Sequence, residues 1–451
     1  MNILVLNGSP KGEGSVTLQT VLYLEALHPE HKFEYLHVGA RIKALEKDFS
    51  PAKEALDRAD LLLFSYPVYT FIAPSQLHRF LELVKESGIS LAGKAATQIT
   101  TSKHFYDVTA HRYIQDNCGD LALNYVRGLS ADMDDLLSEK GREEAEKFFD
   151  HVAWSVEKGY FEPVEDAGKA GERVFATCPE AYFCGEKTGD VVIVTDCSAA
   201  DNSNLTAMIA RFCAVSSFRT SVVYLKDYPF RGGCLGCFNC AVTGKCIYTD
   251  GFDTFLREKI QTAQAIVYAF SVKDHSMGAL FKLYDDRQFC NGHRTVTMGS
   301  PVGYLISGDY HKEMNLQMIL EGRAQVGGNF LAGIATDEKD PDSEIDALAE
   351  KLAYALEHNY VPPQNFYGVG GMKIFRDLIW QMQGMMRADH KFYKAHGQYD
   401  FPQKKPGRML AMYLVGALMA SPKLKAKAGS KMTEGMLMPY KKVLAKVKKE
   451  S

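Results

Sequence analysis

Asn2-Ile3-Leu4-Val5-Leu6-Asn7-Gly8-Ser9-Pro10-Lys11-Gly12-Glu13-Gly14-Ser15-Val16-Thr17 opens the chain, and its two parts call for different backbones. The first is a short unbroken apolar run, as in a strand buried on both faces. The second is a loop of small residues leading into a helix predicted over 16–27. At such a helix start the backbone N–H groups and the positive end of the dipole face an anion. Ser9, Ser15 and Thr17 add hydroxyl donors and Lys11 adds a charge. The pattern suits a lone phosphate, because neither the dinucleotide fingerprint GxGxxG nor the Walker pattern GxxxxGK is present here.

Outward from this stretch, apolar runs alternate with amphipathic segments. Strands are expected over 3–6, 33–38, 61–66, 95–100 and 123–129, helices over 16–27, 52–58, 75–85 and 108–117, and a closing helix over 143–157. This alternation argues for a parallel sheet covered on both faces. Residues 163–188, with Pro, several Gly and little periodicity, read as a linker and packing arm. Then the pattern restarts, with strands over 191–194, 221–225, 265–270, 302–306 and 330–334 and helices over 203–213, 252–262, 277–288, 314–325 and 344–357. The same element order twice implies an internal duplication. The expected fold is α/β: two tandem doubly wound parallel sheets of order 2-1-3-4-5, with any site in the loops after strands one, three and four of each half. The expected domains are 1–162, the linker 163–188, 189–360, and a basic helical extension 361–451 with helical spacing over 372–386 and 408–419.

Gly8-Ser9-Pro10-Lys11 and Ser15-Val16-Thr17 carry a family likeness. The sequence resembles the flavodoxin-like NADPH-dependent FMN reductases, whose first loop wraps the FMN phosphate. The resemblance implies a flavodoxin-like fold for each half, FMN as cofactor and NAD(P)H as electron donor. It assigns Ser9, Lys11, Ser15, Val16 and Thr17 to the phosphate. The third strand ends in Ser65-Tyr66-Pro67-Val68-Tyr69-Thr70, similar to the PxY segment that lines the isoalloxazine in that family. Pro67, Val68, Tyr69 and Thr70 are therefore candidates, although a tyrosine at a strand end also serves as core packing. After the fourth strand, Thr101 and Ser102 are expected at the flavin's pyrimidine edge. His104 is either a tuning residue or an ordinary hydrogen-bonded histidine. No catalytic residue is assigned, since hydride passes directly from nicotinamide to flavin.

The second half departs from this pattern. Its first loop, Thr195-Asp196-Cys197-Ser198-Ala199-Ala200-Asp201-Asn202-Ser203-Asn204, keeps Ser198, Ser203 and Asn204 as cofactor candidates but lacks GSP, and its two carboxylates oppose a phosphate. The counterpart of the flavin wall, residues 271–277, has neither Pro nor Tyr. Between its second strand and the next helix stands a CxxCxxCxxxxxC run, Cys234, Cys237, Cys240 and Cys246, among four glycines that permit a tight backbone. Its spacing and place resemble iron–sulfur flavoproteins, which implies a [4Fe-4S] cluster. A four-cysteine zinc site and a loop of free or disulfide-capable thiols remain the alternatives.

The chain has 451 residues and ten cysteines, and it opens without a recognisable secretory signal, so a reduced cytoplasmic protein is expected. The longest apolar run, 409–420, is short for a transmembrane span. Net charge is only −3, yet the tail from 423 holds nine lysines against two glutamates, leaving +7 there and −10 elsewhere. That tail reads as a solvated helix end or as a dock for an acidic surface. The expected function is transfer of electrons from NAD(P)H through FMN to a quinone, flavin, redox protein or organic acceptor, in an intramolecular pseudo-dimer or a homo-oligomer, with no nucleic-acid partner. A non-enzymatic electron carrier is the alternative.

Overall fold

In the computed structural model, which describes residues 1–163, 171–179, 182–201 and 203–423, the first strand is buried as its composition requires. Leu4 and Leu6 face one core and Ile3 and Val5 another, all at most 1% exposed. Alternate residues of a strand point to opposite faces, so a run apolar at every position must lie between two layers.

The first sheet comprises β1 (Asn2–Asn7), β2 (Lys32–Leu36), β3 (Leu61–Pro67), β4 (Ala95–Ser102), β5 (Asn124–Tyr125) and β6 (Leu129–Asp132). Its order is β2-β1-β3-β4-β5, with β6 also paired to β4, and every pairing is parallel. The second comprises β7 (Asp190–Thr195), β8 (Arg219–Tyr224), β9 (Ala265–Ser271), β10 (Pro301–Ser307) and β11 (Phe330–Thr336), ordered β8-β7-β9-β10-β11. Both repeat the expected 2-1-3-4-5.

Helices of the first half are α1 (Val16–Leu27), α2 (Val38–Leu45), α3 (Ser50–Arg58), α4 (Ser75–Glu86), α5 (Asp107–Asp120) and α6 (Glu139–Lys158). The second half has α7 (Asn204–Val215), α8 (Asn239–Thr243), α9 (Phe252–Phe255), α10 (Gly278–Arg287), α11 (Met314–Gly327) and α12 (Pro341–His358). After these come α13 (Phe366–Gln381), α14 (Arg387–Ala395) and α15 (Pro406–Met419). The chain divides into two compact units, Met1–Phe392 and Tyr393–Ser451. Within the first, α4 packs on α10, α5 on α11, and α13 on α11. One apolar core runs from Leu6, Phe64 and Phe80 in the first half to Phe252, Phe281 and Ile319 in the second. Separate outer cores lie under α1 and α6 and under α7 and α12.

The structure differs from the sequence reading at several points. The second strand stops at Leu36, and Val38, expected to close it, opens the unforeseen helix α2. The expected strand 123–129 is two short strands, Asn124–Tyr125 and Leu129–Asp132, both paired to β4. The helix expected over 252–262 is one α-turn followed by a π-helical turn at Leu256–Ile260. The helix expected over 372–386 begins at Phe366 and ends at Gln381, and α14 follows it. Within the linker, the described segment beginning at Gly171 packs on the second half: Arg173 pairs with Asp309 at 2.6 Å and the Val174 N–H donates to the Asp337 carbonyl at 2.8 Å. The lysine-rich tail from 424 on lies outside the described residues.

Candidate functional site

The first loop is tied down by its own side chains. Asn7 Oδ1 accepts from the Ser9 N–H at 3.1 Å, and Asn7 Nδ2 donates to the Gly12 carbonyl at 2.8 Å. Ser15 caps α1 by accepting from the Leu18 N–H at 3.4 Å. Behind the loop, Gly39 of α2 sits so close that a Cβ there would lie 2.4 Å from the Gly8 carbonyl oxygen. Thr17 Oγ1 and Thr101 Oγ1 are 2.6 Å apart, which joins the first-strand loop to the fourth-strand loop.

The third-strand loop turns back at Tyr69, with Thr70 and Phe71 both left-handed at φ 42° and 74° and a bridge from Tyr69 to Ile72. Non-glycine residues rarely adopt such angles without support from their surroundings. Here the support comes from α10: Lys282 Nζ donates to the Tyr69 carbonyl at 3.1 Å, and Thr70 Oγ1 donates to Asp286 Oδ1 at 2.9 Å. The second half keeps the same turn at Lys273–Ser276, with Asp274 and His275 at φ 52° and 61°. The Pro and Tyr are absent there, but the backbone shape is the same.

The second half's cysteine loop packs against this wall. Gly236 is left-handed at φ 59°, and a Cβ there would meet the Tyr69 hydroxyl at 1.9 Å. Gln76 Nε2 donates to the Cys234 carbonyl at 3.4 Å, and Lys11 Nζ lies 6.0 Å from the Phe238 ring centre. Three arginines hold the loop's carbonyls. Arg287 Nη1 donates to Gly232 at 2.9 Å, Arg257 Nη2 to Gly244 at 2.7 Å, and Arg294 Nη1 to Cys240 at 3.3 Å. Arg287 also grips Asp250 in bidentate fashion at 2.7 and 2.8 Å. Burial favours the neutral acid at Asp250, but this guanidinium outweighs it and holds the carboxyl down at about 2.

These loops enclose one cavity of about 410 Å³, within the range of small-ligand sites. All eleven first-half candidates line it, namely Ser9, Lys11, Ser15, Val16, Thr17, Pro67, Val68, Tyr69, Thr70, Thr101 and Ser102. So do Cys234, Cys237, Cys240 and Cys246. Ser198, Ser203, Asn204 and His104 do not. Ser203 caps its own helix, Asn204 bonds Val174, Ala176 and Asp337, and the Ser198 N–H goes to Asp201. His104 pairs with Asp107 at 2.9 Å with its side chain 54% exposed. Ser203 and Asn204 are therefore spent within the protein, and none of the four faces the cavity.

The sequence reading missed the residues that complete the cavity from a distance. Cys290 is a fifth thiol in its wall, and Ile374, Phe375 and Leu378 of α13 close one side. His293 and Arg294 also line it, both gripped by the fully buried Asp389 of α14 at 3.0 and 2.8 Å. No local pattern marks any of these.

The thiols share the cavity but do not form a ligand set. Among the described residues no three His, Cys, Asp or Glu side chains stand where they could hold a metal ion. Burial pushes the Cys240 thiol up to about 11 and the Cys290 thiol to about 12, and raises Cys234 as well. As arranged, the loop does not fit a cluster.

The first-loop donors do fit a phosphate, and the wall from Pro67 to Thr70 fits a flat ring beside it. The family model for the flavodoxin-like fold matches residues 1–130. The first half is flavodoxin-like. The second sheet, with the same strand order and the same left-handed turn, repeats that fold. No curated protein matches the chain. Among solved structures, the chain is similar to general stress protein 14 from Treponema denticola in complex with FMN, at 15% identity over 35% of this chain and 98% of that one, TM-score 0.27. It is similar to an FMN-dependent NADH-azoreductase from Bacillus anthracis, at 15% identity over 35% and 98%, TM-score 0.26. An NAD(P)H:quinone oxidoreductase from Methanothermobacter marburgensis shares 14% identity over 37% and 98%, TM-score 0.27.

Proposed function

We propose that this flavodoxin-like chain is an FMN-dependent oxidoreductase that takes electrons from NAD(P)H and delivers them to a small organic acceptor such as a quinone. One observation carries the reading: eleven residues from three separate first-half loops, each expected at FMN from sequence, line a single cavity. Ser9, Lys11, Ser15 and Thr17, with the start of α1, would hold the phosphate. Pro67, Val68, Tyr69 and Thr70 would flank the ring, and Thr101 and Ser102 its polar edge. A bound flavin supplies hydride acceptance from nicotinamide and onward electron donation.

The chain's own residues do the rest. The turn at Tyr69 to Ile72 is held rigid from α10 by Lys282 and Asp286. Burial first, then Cys234 and Asp286, raises the Tyr69 phenol well above its ordinary value, so it stays protonated. The cysteine loop and α13 supply further walls of the cavity. In this reading residues 1–162 and 189–360 play the parts of two subunits, the second contributing walls to the flavin site of the first. The cysteine loop serves as a thiol-lined wall, and no electron is routed through a cluster.

The test is anaerobic reduction of a quinone by NADH or NADPH with protein of known flavin content. Turnover that scales with bound flavin supports the enzyme. A yellow protein that neither nucleotide reduces overturns it in favour of a carrier between proteins. Colourless protein that FMN cannot reconstitute overturns the flavin site itself.

A further inference from the structure

Helix α15 reads Pro-Gly-Arg-Met-Leu-Ala-Met-Tyr-Leu-Val-Gly-Ala-Leu-Met over Pro406–Met419. From Met409 to Ala420 it holds no charged residue. Every residue from Pro402 to Leu418 is exposed, with Met409, Leu410, Met412, Tyr413, Leu414 and Leu418 each at 58% or more. A soluble surface helix keeps one apolar stripe and one polar face. Among the described residues this helix is apolar from Met409 on and covered on no side, and an exposed apolar surface of this kind marks an interaction site.

The surrounding sequence narrows what that is. Lys404, Lys405 and Arg408 precede the apolar run, and Lys423, Lys425, Lys427 and Lys431 follow it. Between Asp400 and Glu434 there is no acidic residue. A protein groove or a second copy would cover one stripe and leave the opposite face wet, and helix partners commonly match charges of both signs. A lipid surface covers an apolar helix on all sides and attracts cations alone. At about 1.5 Å per residue the helix is roughly 21 Å long, against about 30 Å of hydrocarbon, so it suits one leaflet and does not span. Among the described residues no helix is long and apolar enough to cross a membrane.

We propose that α15 and its basic flanks dock the protein on an anionic phospholipid surface, with the apolar helix sunk among the acyl chains of one leaflet and the flanking Lys and Arg at the headgroups. The inference is independent of the flavin reading.

Its test is co-sedimentation of the full-length protein with vesicles of phosphatidylglycerol and phosphatidylcholine in equal parts, compared with phosphatidylcholine alone. Binding to the anionic vesicles should be on the order of tenfold stronger and should weaken as salt rises. L410Q/L414Q/L418Q should abolish vesicle binding, and R408E/K423E should remove the anionic preference. Both variants should keep wild-type melting temperature and oligomeric state. The proposal is overturned if the wild-type protein stays in the supernatant at low salt, or if the apolar substitutions leave binding unchanged. It is also overturned if, without lipid, those substitutions convert a dimer to a monomer, since the helix would then be covered by a second copy.

Discussion

The Ser75 N–H donates to Asp286 Oδ2 at 2.7 Å, and its counterpart in the other half, the Ala279 N–H, donates to Glu82 Oε1 at 2.8 Å. Each half therefore caps the other's helix start, α10 for α4 and α4 for α10. The pairs 70 and 274, 71 and 275, 75 and 279, and 82 and 286 share one offset, so the exchange marks a pseudo-twofold between the halves. The first half's turn at Tyr69–Ile72 is held by Lys282 and Asp286 of the second half, which is how second-half residues reach its cavity.

Asp286 carries more than the cap. It is fully buried with Lys282 as its ion-pair partner and accepts from Thr70 as well. Asp286→Ala leaves the buried Lys282 ammonium with only the more distant Asp285 carboxylate at 3.6 Å and uncaps α4, at an expected cost of about 3 kcal/mol in urea unfolding. Adding Lys282→Met should recover much of that loss, because removing both members of a buried pair costs far less than removing one. A single-variant loss below about 1 kcal/mol would show that the halves do not depend on this contact.

His275 gives the stability a pH dependence. Burial works against its charge, but Asp120 and Glu313, at 3.1 and 3.0 Å, outweigh it and raise the imidazole to about 10. A folded pKa above the ordinary value of about 6.5 stabilises fully below that value and is lost as pH climbs toward 10. Wild-type protein should therefore lose melting temperature across that window, and His275→Gln should lose less. Parallel curves for the two proteins from pH 6 to 10 would refute the assignment.

How much of this was legible follows from where the information lies. Strands such as β1 and β7 are buried on both faces, so their apolar runs stand out in the sequence. The first-half loops that line the cavity could be singled out because each carries its own chemistry: a helix start, small residues, hydroxyls and a Pro-x-Tyr. Helix α2 was hidden because Val38, buried like a strand residue, continues the run of β2. Ser203 and Asn204 kept a phosphate-like composition, but their side chains are spent on a helix cap and on the 174–176 segment. Arg287, Cys290, His293 and Arg294 reach the cavity through tertiary packing alone, the last two held by Asp389, and no local pattern encodes this.

The contact between Gly236 and Tyr69 is testable by size. Gly236→Ala places a methyl group 1.9 Å from the Tyr69 hydroxyl on a left-handed backbone, so either the loop or the flavin wall must move. Flavin affinity should fall about tenfold or more, corresponding to at least about 1.4 kcal/mol. Tyr69→Phe should restore part of it, because the clash with the oxygen goes while the backbone strain of about 1 kcal/mol stays. No interaction between the two substitutions in a double-mutant cycle would separate the cysteine loop from the flavin wall.

Ser9 and Ser15 are both at most 2% exposed in the first loop. Replacing both by Ala removes two hydroxyl donors from the phosphate end, each contributing about 1.5–3 kcal/mol toward a charged partner. Flavin binding should weaken on the order of a hundredfold or more, while loss of the α1 cap should cost only about 1 kcal/mol of stability. Full flavin retention by the folded double variant would sink the phosphate-loop assignment.

Iron decides the cysteine loop. The four cysteines follow a cluster-like spacing, yet no three ligating side chains converge among the described residues, and Cys237 is exposed while Cys234 is half-buried. Anaerobically purified protein, assayed for flavin, iron and sulfide on one sample, should show about one flavin per chain with iron well below the four a cluster needs. Its thiols should titrate with a mild alkylating reagent in order of exposure, Cys237 before Cys234 and Cys290. About four irons with matching sulfide would mean that metal draws the loop off the flavin wall into another arrangement. Gly236→Ala should then disturb flavin and cluster together, and electrons could leave the flavin one at a time.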